Sequence, residues 1–222
     1  MKVLLFLYFS LFCYSENNYE IAAKKTLSQY SDNIWCSNND NMKTISAEVE
    51  FYLNCISTEL KIEKKPTFYF FSDFSKFPLA LSEPWAGGFY CNNAIFLPMK
   101  LNNPRGLGKP LAHEITHYLL EAKYGFLPLW LNEGLAESLG WRAYIKYMKR
   151  NEYKVYREKT FVSENNYIKD IRSLKTYPVN HELFYQQSQL MVEFLLKDKS
   201  IDEIVKNNDV DFNDFFKYIS IP

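Results

Sequence analysis

The chain has no excess of either charge, because 26 lysines and arginines balance 26 aspartates and glutamates among its 222 residues. No basic stripe stands out, so a nucleic-acid partner is not expected. None of the four cysteines has Cys-x-x-Cys spacing, which argues against a cysteine-based metal site. Internal repeats and low-complexity tracts are also absent, which excludes a repeat architecture. The length then fits one medium domain or a two-lobed one.

Histidine is scarce, yet two of the three histidines stand four residues apart in the motif His113-Glu114-Ile115-Thr116-His117. Residues i and i+4 lie on one face of an α-helix, so both imidazoles can bind the same zinc ion. The carboxylate of Glu114 then lies beside them, where it can take a proton from a water that the metal activates. The motif predicts a zinc-dependent hydrolase. Among hydrolases, it favours a peptidase.

The residues around this motif predict the helix that it requires. Pro110 suits a first helical turn, where its missing N–H is not needed. Leu111, Ile115 and Leu119 recur at helical spacing and form an apolar stripe. Gly125 follows as a C-terminal stop, and a second helix can start near residue 128. A tight turn between two helices is therefore expected directly after the motif.

Two histidines do not complete a catalytic zinc site, which usually has three protein ligands. A third histidine of the metzincin kind would occupy position 123, which is Lys123 in this chain. His181 lies far downstream, and the segment Trp130–Glu137, with the sequence WLNEGLAE, is the better candidate. This segment resembles the second zinc-binding helix of the gluzincin peptidases. In that family the glutamate of the Asn-Glu-Gly triplet is the third zinc ligand, which implies this role for Glu133.

The resemblance is closest to the small peptidase MA-like domains of the gluzincins. It implies one zinc ion bound by His113, His117 and Glu133. It also implies a small mixed sheet lobe followed by a helical lobe, with the zinc between them. Glu137 shares a helical face with Glu133 and could accept the second ring N–H of His113. The exopeptidase signature Gly-x-Met-Glu-Asn of the aminopeptidases is absent, so nothing identifies an aminopeptidase.

A weaker match covers Leu183–Leu195, which resembles the late helix of the same family. Tyr185 takes the place of a tyrosine that hydrogen-bonds the oxyanion, and Ser188 takes the place of a small residue. A phenol is a neutral donor at pH 7 and suits this task. His181 is a rival donor, because thermolysin-like enzymes use a histidine there.

Residues 87–98 predict two short strands around an Asn-Asn turn. In gluzincins a strand just before the zinc helix borders the cleft and pairs with the substrate backbone. The resemblance therefore implies substrate binding by Gly88, Phe89 and Tyr90. Pairing of an extended peptide with a sheet edge is a general recognition mode.

The first fifteen residues resemble a secretory signal peptide, with Lys2 before an apolar run that is too short to span a bilayer. Cleavage after Ser15 would leave residues 16–222 as one exported peptidase domain without a membrane span. A lipid on Cys13 and an uncleaved, short membrane anchor are alternatives. In an oxidising compartment Cys36 and Cys55 could form a disulfide.

Strands precede helices along the chain, with few parallel crossovers, which predicts an α+β fold. Residues 155–180 are ambiguous and could form a loop over the cleft. The predicted helices are residues 17–30, 43–60, 110–123, 129–149, 182–197 and 211–219, and the predicted strands are residues 67–72 and two strands around Gly88 and Phe96.

The function expected from these patterns is that of an exported zinc peptidase acting on a peptide or protein substrate. Two alternatives stay open. One is a zinc-stabilised exported binding module without turnover, although a purely structural site has no use for Glu114. The other is a hydrolase of non-peptide amides or esters, which would use the same metal chemistry.

Overall fold

The computed structural model describes residues 16–37, 41–72, 74–76, 87–91, 93–99, 107–148 and 162–220. The expected signal peptide, with Cys13, lies outside these ranges. Within them, no helix combines the length and the apolar character needed to cross a membrane.

The described residues form a five-stranded mixed sheet and seven helices, which confirms the α+β class. A short 3₁₀ turn at Ile171–Ser173 interrupts the otherwise irregular stretch before the late helix. In chain order the elements are α1 (Glu16–Thr26), β1 (Ser28–Ser31), β2 (Ile34–Cys36), α2 (Met42–Leu60), β3 (Thr67–Phe71), β4 (Phe89–Cys91), β5 (Ala94–Pro98), α3 (Gly108–Tyr124), α4 (Leu129–Tyr147), α5 (His181–Leu195), α6 (Ile201–Lys206) and α7 (Phe212–Ile219).

The strands are ordered β1-β2-β3-β5-β4 across the sheet. The three central strands are parallel, whereas β1 and β4 pair antiparallel at the two edges. Helix α2 connects the parallel neighbours β2 and β3, so the chain contains one strand–helix–strand unit. The sheet is therefore more parallel at its centre than the order of the predicted elements suggests.

Alternation along β3 divides its aromatic side chains between two cores, because successive residues point to opposite faces of a sheet. Phe68 and Phe70 face the large core that the helices α2 to α5 share. Tyr69 and Phe71 face a smaller core that includes Ala23 of α1. The sheet is thus covered on both faces, and the metal-motif helix packs on the larger side.

Helices α3, α4 and α5 form the packed unit that carries the predicted site. Gly134 of α4 lies against α5 so closely that a Cβ there would be 2.7 Å from Val192 Cγ2 and would collide with the Ser188 backbone. Gly125 ends α3 with a φ of 70°, as its predicted role as a stop requires. Gly134, directly after Glu133, therefore sets how near α4 comes to α5.

Five predicted helices are confirmed, with boundaries that differ by at most two residues where both ends are described. The observed bounds are Met42–Leu60, Gly108–Tyr124, Leu129–Tyr147, His181–Leu195 and Phe212–Ile219. The predicted strand at residues 67–72 and the hairpin of β4 and β5 are also present.

The helix predicted for residues 17–30 is wrong at its C-terminal end, because it stops at Thr26 and Ser28–Ser31 form an edge strand. Residues 34–36 lie outside the predicted strands, yet they form β2, which buries Ile34 and Cys36 between β1 and β3. In β1 and β2, pairing with neighbouring strands outweighs the conformational preferences of the local sequence. The helix at Ile201–Lys206 was not predicted.

The disulfide suggested for Cys36 and Cys55 is not formed. Cys36 is buried in the sheet, where it contributes to the core under the helices. Cys55 lies on α2 within range of the charges of Lys146 and Glu59, which places it towards α4. Both side chains are therefore free thiols in the structure.

Candidate metal centre

Helix α3 presents both histidines of the motif on one face, as their spacing predicts. Leu111, Ile115 and Leu119 are fully buried and anchor the helix to the core. This packing leaves His113 and His117 side by side, with their Nε2 atoms 2.9 Å apart. The two ring nitrogens are therefore directed at the same point.

Helix α4 brings Glu133 to that point. Its Oε2 atom lies 3.3 Å from His113 Nε2 and 3.4 Å from His117 Nε2. The ligand atoms of these three residues all lie within 4.8 Å of one another, so the group could hold a metal ion. Glu133 is only 2% exposed.

The three atoms fit the requirements of a zinc ion. Nitrogen and oxygen atoms about 2.0–2.1 Å from a tetrahedral zinc are roughly 3.3 Å apart, which is close to the observed separations. Glu133 Oε2 is buried and makes no hydrogen bond of standard geometry within the described residues. A buried carboxylate oxygen without a donor is costly unless a cation binds it. The donor set and its geometry therefore fit a metal ion.

Charge and burial act in opposite directions on the pKa values of this cluster in the metal-free protein. Burial would lower the pKa of His113 and His117, but the neighbouring carboxylates outweigh it and raise both values. Burial would raise the pKa of Glu133, but the two imidazolium charges hold it well below its usual range. Without metal, positive charge on the histidines would therefore partly replace the cation, although only one of the two Nε2 atoms can carry a proton in their 2.9 Å contact.

Glu114 is buried beside the ligands, with 8% of its surface exposed. Burial raises the pKa of its carboxyl group, while His113 and His117 oppose this shift and the backbone N–H of Tyr90 donates a hydrogen bond to it. A raised pKa suits a group that must accept a proton near neutral pH and release it again. The structure thus places Glu114 between the histidines and the edge strand β4.

Glu137 lies on the far side of the His113 ring, next to the second ring nitrogen. Its Oε1 atom lies 3.2 Å from His113 Nδ1, and its Oε2 atom lies 2.9 Å from Lys109 Nζ. Burial raises the pKa of Glu137, but His113 and Lys109 outweigh burial and lower it to about 2. Lys109 in turn lies over the ring of Trp141 at 5.4 Å. The carboxylate therefore stays ionised beside the ring, although its contact with Nδ1 lacks the geometry of a standard hydrogen bond.

Helix α5 brings Tyr185 to the same centre, with its ring centroid 6.4 Å from that of His113. Burial raises the pKa of Tyr185, and the charges of Glu133 and Glu114 add to this effect. Tyr185 therefore remains a neutral donor at neutral pH. His181, the rival candidate, begins the same helix and lies beside Tyr177, with ring centroids 6.1 Å apart.

Tyr177 also belongs to the site, although nothing in the sequence singles it out among seventeen tyrosines. Its hydroxyl donates to Glu133 Oε1 at 2.5 Å. Burial raises the pKa of Tyr177, and the negative charge of Glu133 adds to this effect. It comes from the irregular stretch before α5, whose course cannot be derived from periodicity.

The strand predicted to bind substrate lies directly beside Glu114. A Cβ added to Gly88 would be 3.2 Å from Glu114 Cγ, which indicates close contact between the strand and the carboxylate. The ring of Tyr90 packs edge-on against Tyr118 of α3, with centroids 5.8 Å apart. Phe89 stacks on Phe96 of β5. Within the described part of the chain, β4 is an edge strand of the sheet.

No protein-family model matches this chain, and no curated protein is significantly similar to it. The fold and the site therefore carry the functional argument by themselves. They define an α+β protein in which two histidines and one glutamate from adjacent helices could hold a metal ion.

Proposed function

We propose that this protein is a zinc-dependent peptidase of the gluzincin kind. The observation that carries the proposal is the convergence of His113, His117 and Glu133 within 4.8 Å, with the buried carboxylate of Glu114 next to them. A purely structural metal site requires the three ligands but not this additional carboxylate. The combination is typical of metal-assisted hydrolysis.

Zinc is the proposed ion because two imidazoles and one carboxylate are a donor set of catalytic zinc sites. The three ligands leave one position open for water or substrate. A bound zinc would polarise the scissile carbonyl and lower the pKa of a water molecule at the site towards neutrality.

Glu114 acts as the general base in this proposal. Its carboxylate removes a proton from the attacking water and then delivers that proton to the leaving amine. The burial that raises its pKa supports both steps, because the group must hold the proton between them. Glu137 keeps the His113 ring in place through its contact with Nδ1.

Tyr185 is the proposed donor to the oxyanion. Its neutral phenol lies beside His113, close enough to Glu133 and Glu114 for their charges to raise its pKa. A donor that is already aimed at developing negative charge stabilises the transition state strongly. The position of Tyr185 beside His113 favours it over His181 for this role.

The substrate proposed for this site is an extended peptide that pairs with β4. The strand is at the edge of the sheet within the described residues, and its Gly88–Tyr90 stretch adjoins Glu114. A peptide added to this edge would run past the general base and the metal ligands. We also propose that the protein is exported, on the basis of the apolar N-terminal segment.

Cleavage of a mixed peptide library by the purified, zinc-loaded protein tests the proposal. Glu114→Gln should retain zinc and lose activity by about 10²–10⁴-fold, because it removes the general base. Glu59→Gln is the matched control, since this glutamate pairs with Arg142 at an exposed position. It should cleave as fast as the wild type.

Equal cleavage by the wild type and Glu114→Gln would contradict the assignment of the base. Zinc binding without cleavage of any peptide would favour the binding module, and cleavage of amides or esters alone would favour the non-peptide hydrolase. Both outcomes would overturn the peptidase proposal while leaving the metal site in place.

A further inference from the structure

The two carboxylate oxygens of Glu133 have different surroundings. Oε2 faces the ring nitrogens of His113 and His117, at 3.3 and 3.4 Å, and has no hydrogen bond of standard geometry within the described residues. Oε1 accepts a hydrogen bond of 2.5 Å from the hydroxyl of Tyr177. One oxygen thus faces the histidines, and the other accepts a hydrogen bond from a phenol.

This difference matters because a carboxylate can bind zinc through one oxygen or through both. Binding through both would fill the position that a hydrolytic site keeps open for water or substrate. The hydrogen bond from Tyr177 uses one lone pair of Oε1 and fixes how the carboxylate is turned. Binding through both oxygens would require the carboxylate to turn against this bond in a buried site.

Several contacts fix the position of Tyr177. Its ring stacks on Tyr185 with centroids 6.0 Å apart and packs edge-on against Phe184 at 5.8 Å. The stretch that carries it is anchored to α5 by the buried Gln187. The side-chain amide of Gln187 accepts from the N–H of Ile168 and donates to the carbonyl of the same residue.

We propose that Tyr177 is a positioning residue that restricts Glu133 to binding the metal through Oε2 alone. The inference rests on the metal site of the proposed function, but it does not depend on peptide cleavage. It assigns a separate task to each of two neighbouring phenols. Tyr177 positions a metal ligand, whereas Tyr185 acts on the substrate.

Substitution of zinc by cobalt(II) tests this proposal on the full chain. The visible absorption of cobalt(II) is intense at a four-coordinate site and weaker when a fifth ligand is added, because the band intensity depends on coordination geometry. We expect intense bands for the wild type. We expect Tyr177→Phe to bind cobalt with weaker, shifted bands, because Glu133 is then able to bind through both oxygens.

Tyr124→Phe is the matched control. It also removes a phenol–carboxylate hydrogen bond, the 2.7 Å contact with Asp202, but at an exposed position at the end of α3. Its cobalt spectrum should equal that of the wild type. A general effect of losing one tyrosine hydroxyl would change both variants alike.

Three results would overturn the proposal. One is an unchanged cobalt spectrum in Tyr177→Phe, and another is a wild-type spectrum that already shows the weak bands of a higher coordination number. The wild-type measurement needs no variant, so it can overturn the proposal even where Tyr177→Phe does not fold. Failure of the wild type to bind cobalt or zinc would overturn the metal site as well. Peptide inactivity together with the expected spectra would contradict only the proposed function.

Discussion

The candidate site has two halves that are built in different ways. The metal ligands and Glu114 come from α3 and α4, two regular helices joined by a short turn. The two tyrosines come from α5 and from the irregular stretch before it, more than forty residues further along the chain from Glu133. In the first half, spacing along the sequence fixes the geometry. In the second half, tertiary packing fixes it.

This difference explains what the sequence could predict. A helix places residues i and i+4 together by its own geometry. The sequence therefore predicts that His113 and His117 share one helical face. It also predicts that Glu133 and Glu137 share another. No such rule connects Tyr177 to Glu133. The two halves can be separated experimentally, since the metal ligands of the helical half should govern metal binding, whereas Tyr185 should act on turnover alone.

Tyr185→Phe should have the largest effect among the variants outside the metal ligands and the general base. Loss of one oxyanion donor typically lowers kcat by about 10²–10³-fold. We expect such a loss with unchanged zinc content, measured by steady-state kinetics and metal analysis. Tyr167→Phe is the control, because Tyr167 packs on Phe212 and Phe216. Equal kcat values in both variants would remove Tyr185 from the mechanism.

Glu137→Gln should weaken zinc binding by about 10–100-fold, as is typical when a partner of a ligating histidine is changed. The amide keeps the size of the side chain but loses the charge that holds the His113 ring. Competition with a chromophoric chelator measures this affinity. If Glu137→Gln bound zinc as tightly as the wild type, orientation of His113 by Glu137 would not contribute to the site.

Zinc affinity should rise with pH. Burial lowers the pKa of His113 and His117, but the carboxylates outweigh it, so the metal-free imidazoles keep their protons above the usual range. Zinc must displace these protons, and each one changes the apparent affinity by about tenfold per pH unit below the raised pKa. Calorimetry in two buffers measures the release of protons.

The same histidine pKa shifts fix the direction in which the stability of the metal-free protein changes with pH. A raised histidine pKa stabilises the fold fully below the unfolded value of about 6.5, and this stabilisation is lost as the pH rises through the folded value. The stabilisation that zinc provides should therefore increase with pH. His181→Ala should leave this profile unchanged. Zinc binding without proton release would contradict the raised pKa values of His113 and His117 in the metal-free protein.

Gln187→Leu should have the smallest effect on the site and act mainly on stability. It leaves the N–H and the carbonyl of Ile168 without their side-chain partner, at a cost of about 1–3 kcal/mol. Urea unfolding measures this loss. Gln189→Leu should cost less, because its hydrogen bond to Glu193 lies within one helix. Equal stability of Gln187→Leu and the wild type would show that the stretch is held by other contacts.

Much of the fold followed from local patterns, and the errors have a common cause. The helices with an apolar stripe and the aromatic strand β3 were predicted, because one local signal determines each of them. The edge strand β1 and its inner neighbour β2 were not, since they are short and owe their conformation to pairing with neighbours. The roles of Lys109 and Tyr177 were not predicted either, because they arise only when separate elements meet.

The most direct test of the account is the zinc content of the purified protein, measured beside that of His117→Ala. His117 supplies one of the three converging ligand atoms, and its ring is buried among the others. The account predicts one tightly bound zinc ion per wild-type chain and none in the variant, with the same circular dichroism spectrum for both. A wild-type protein without zinc, or equal zinc content in both proteins, would contradict it.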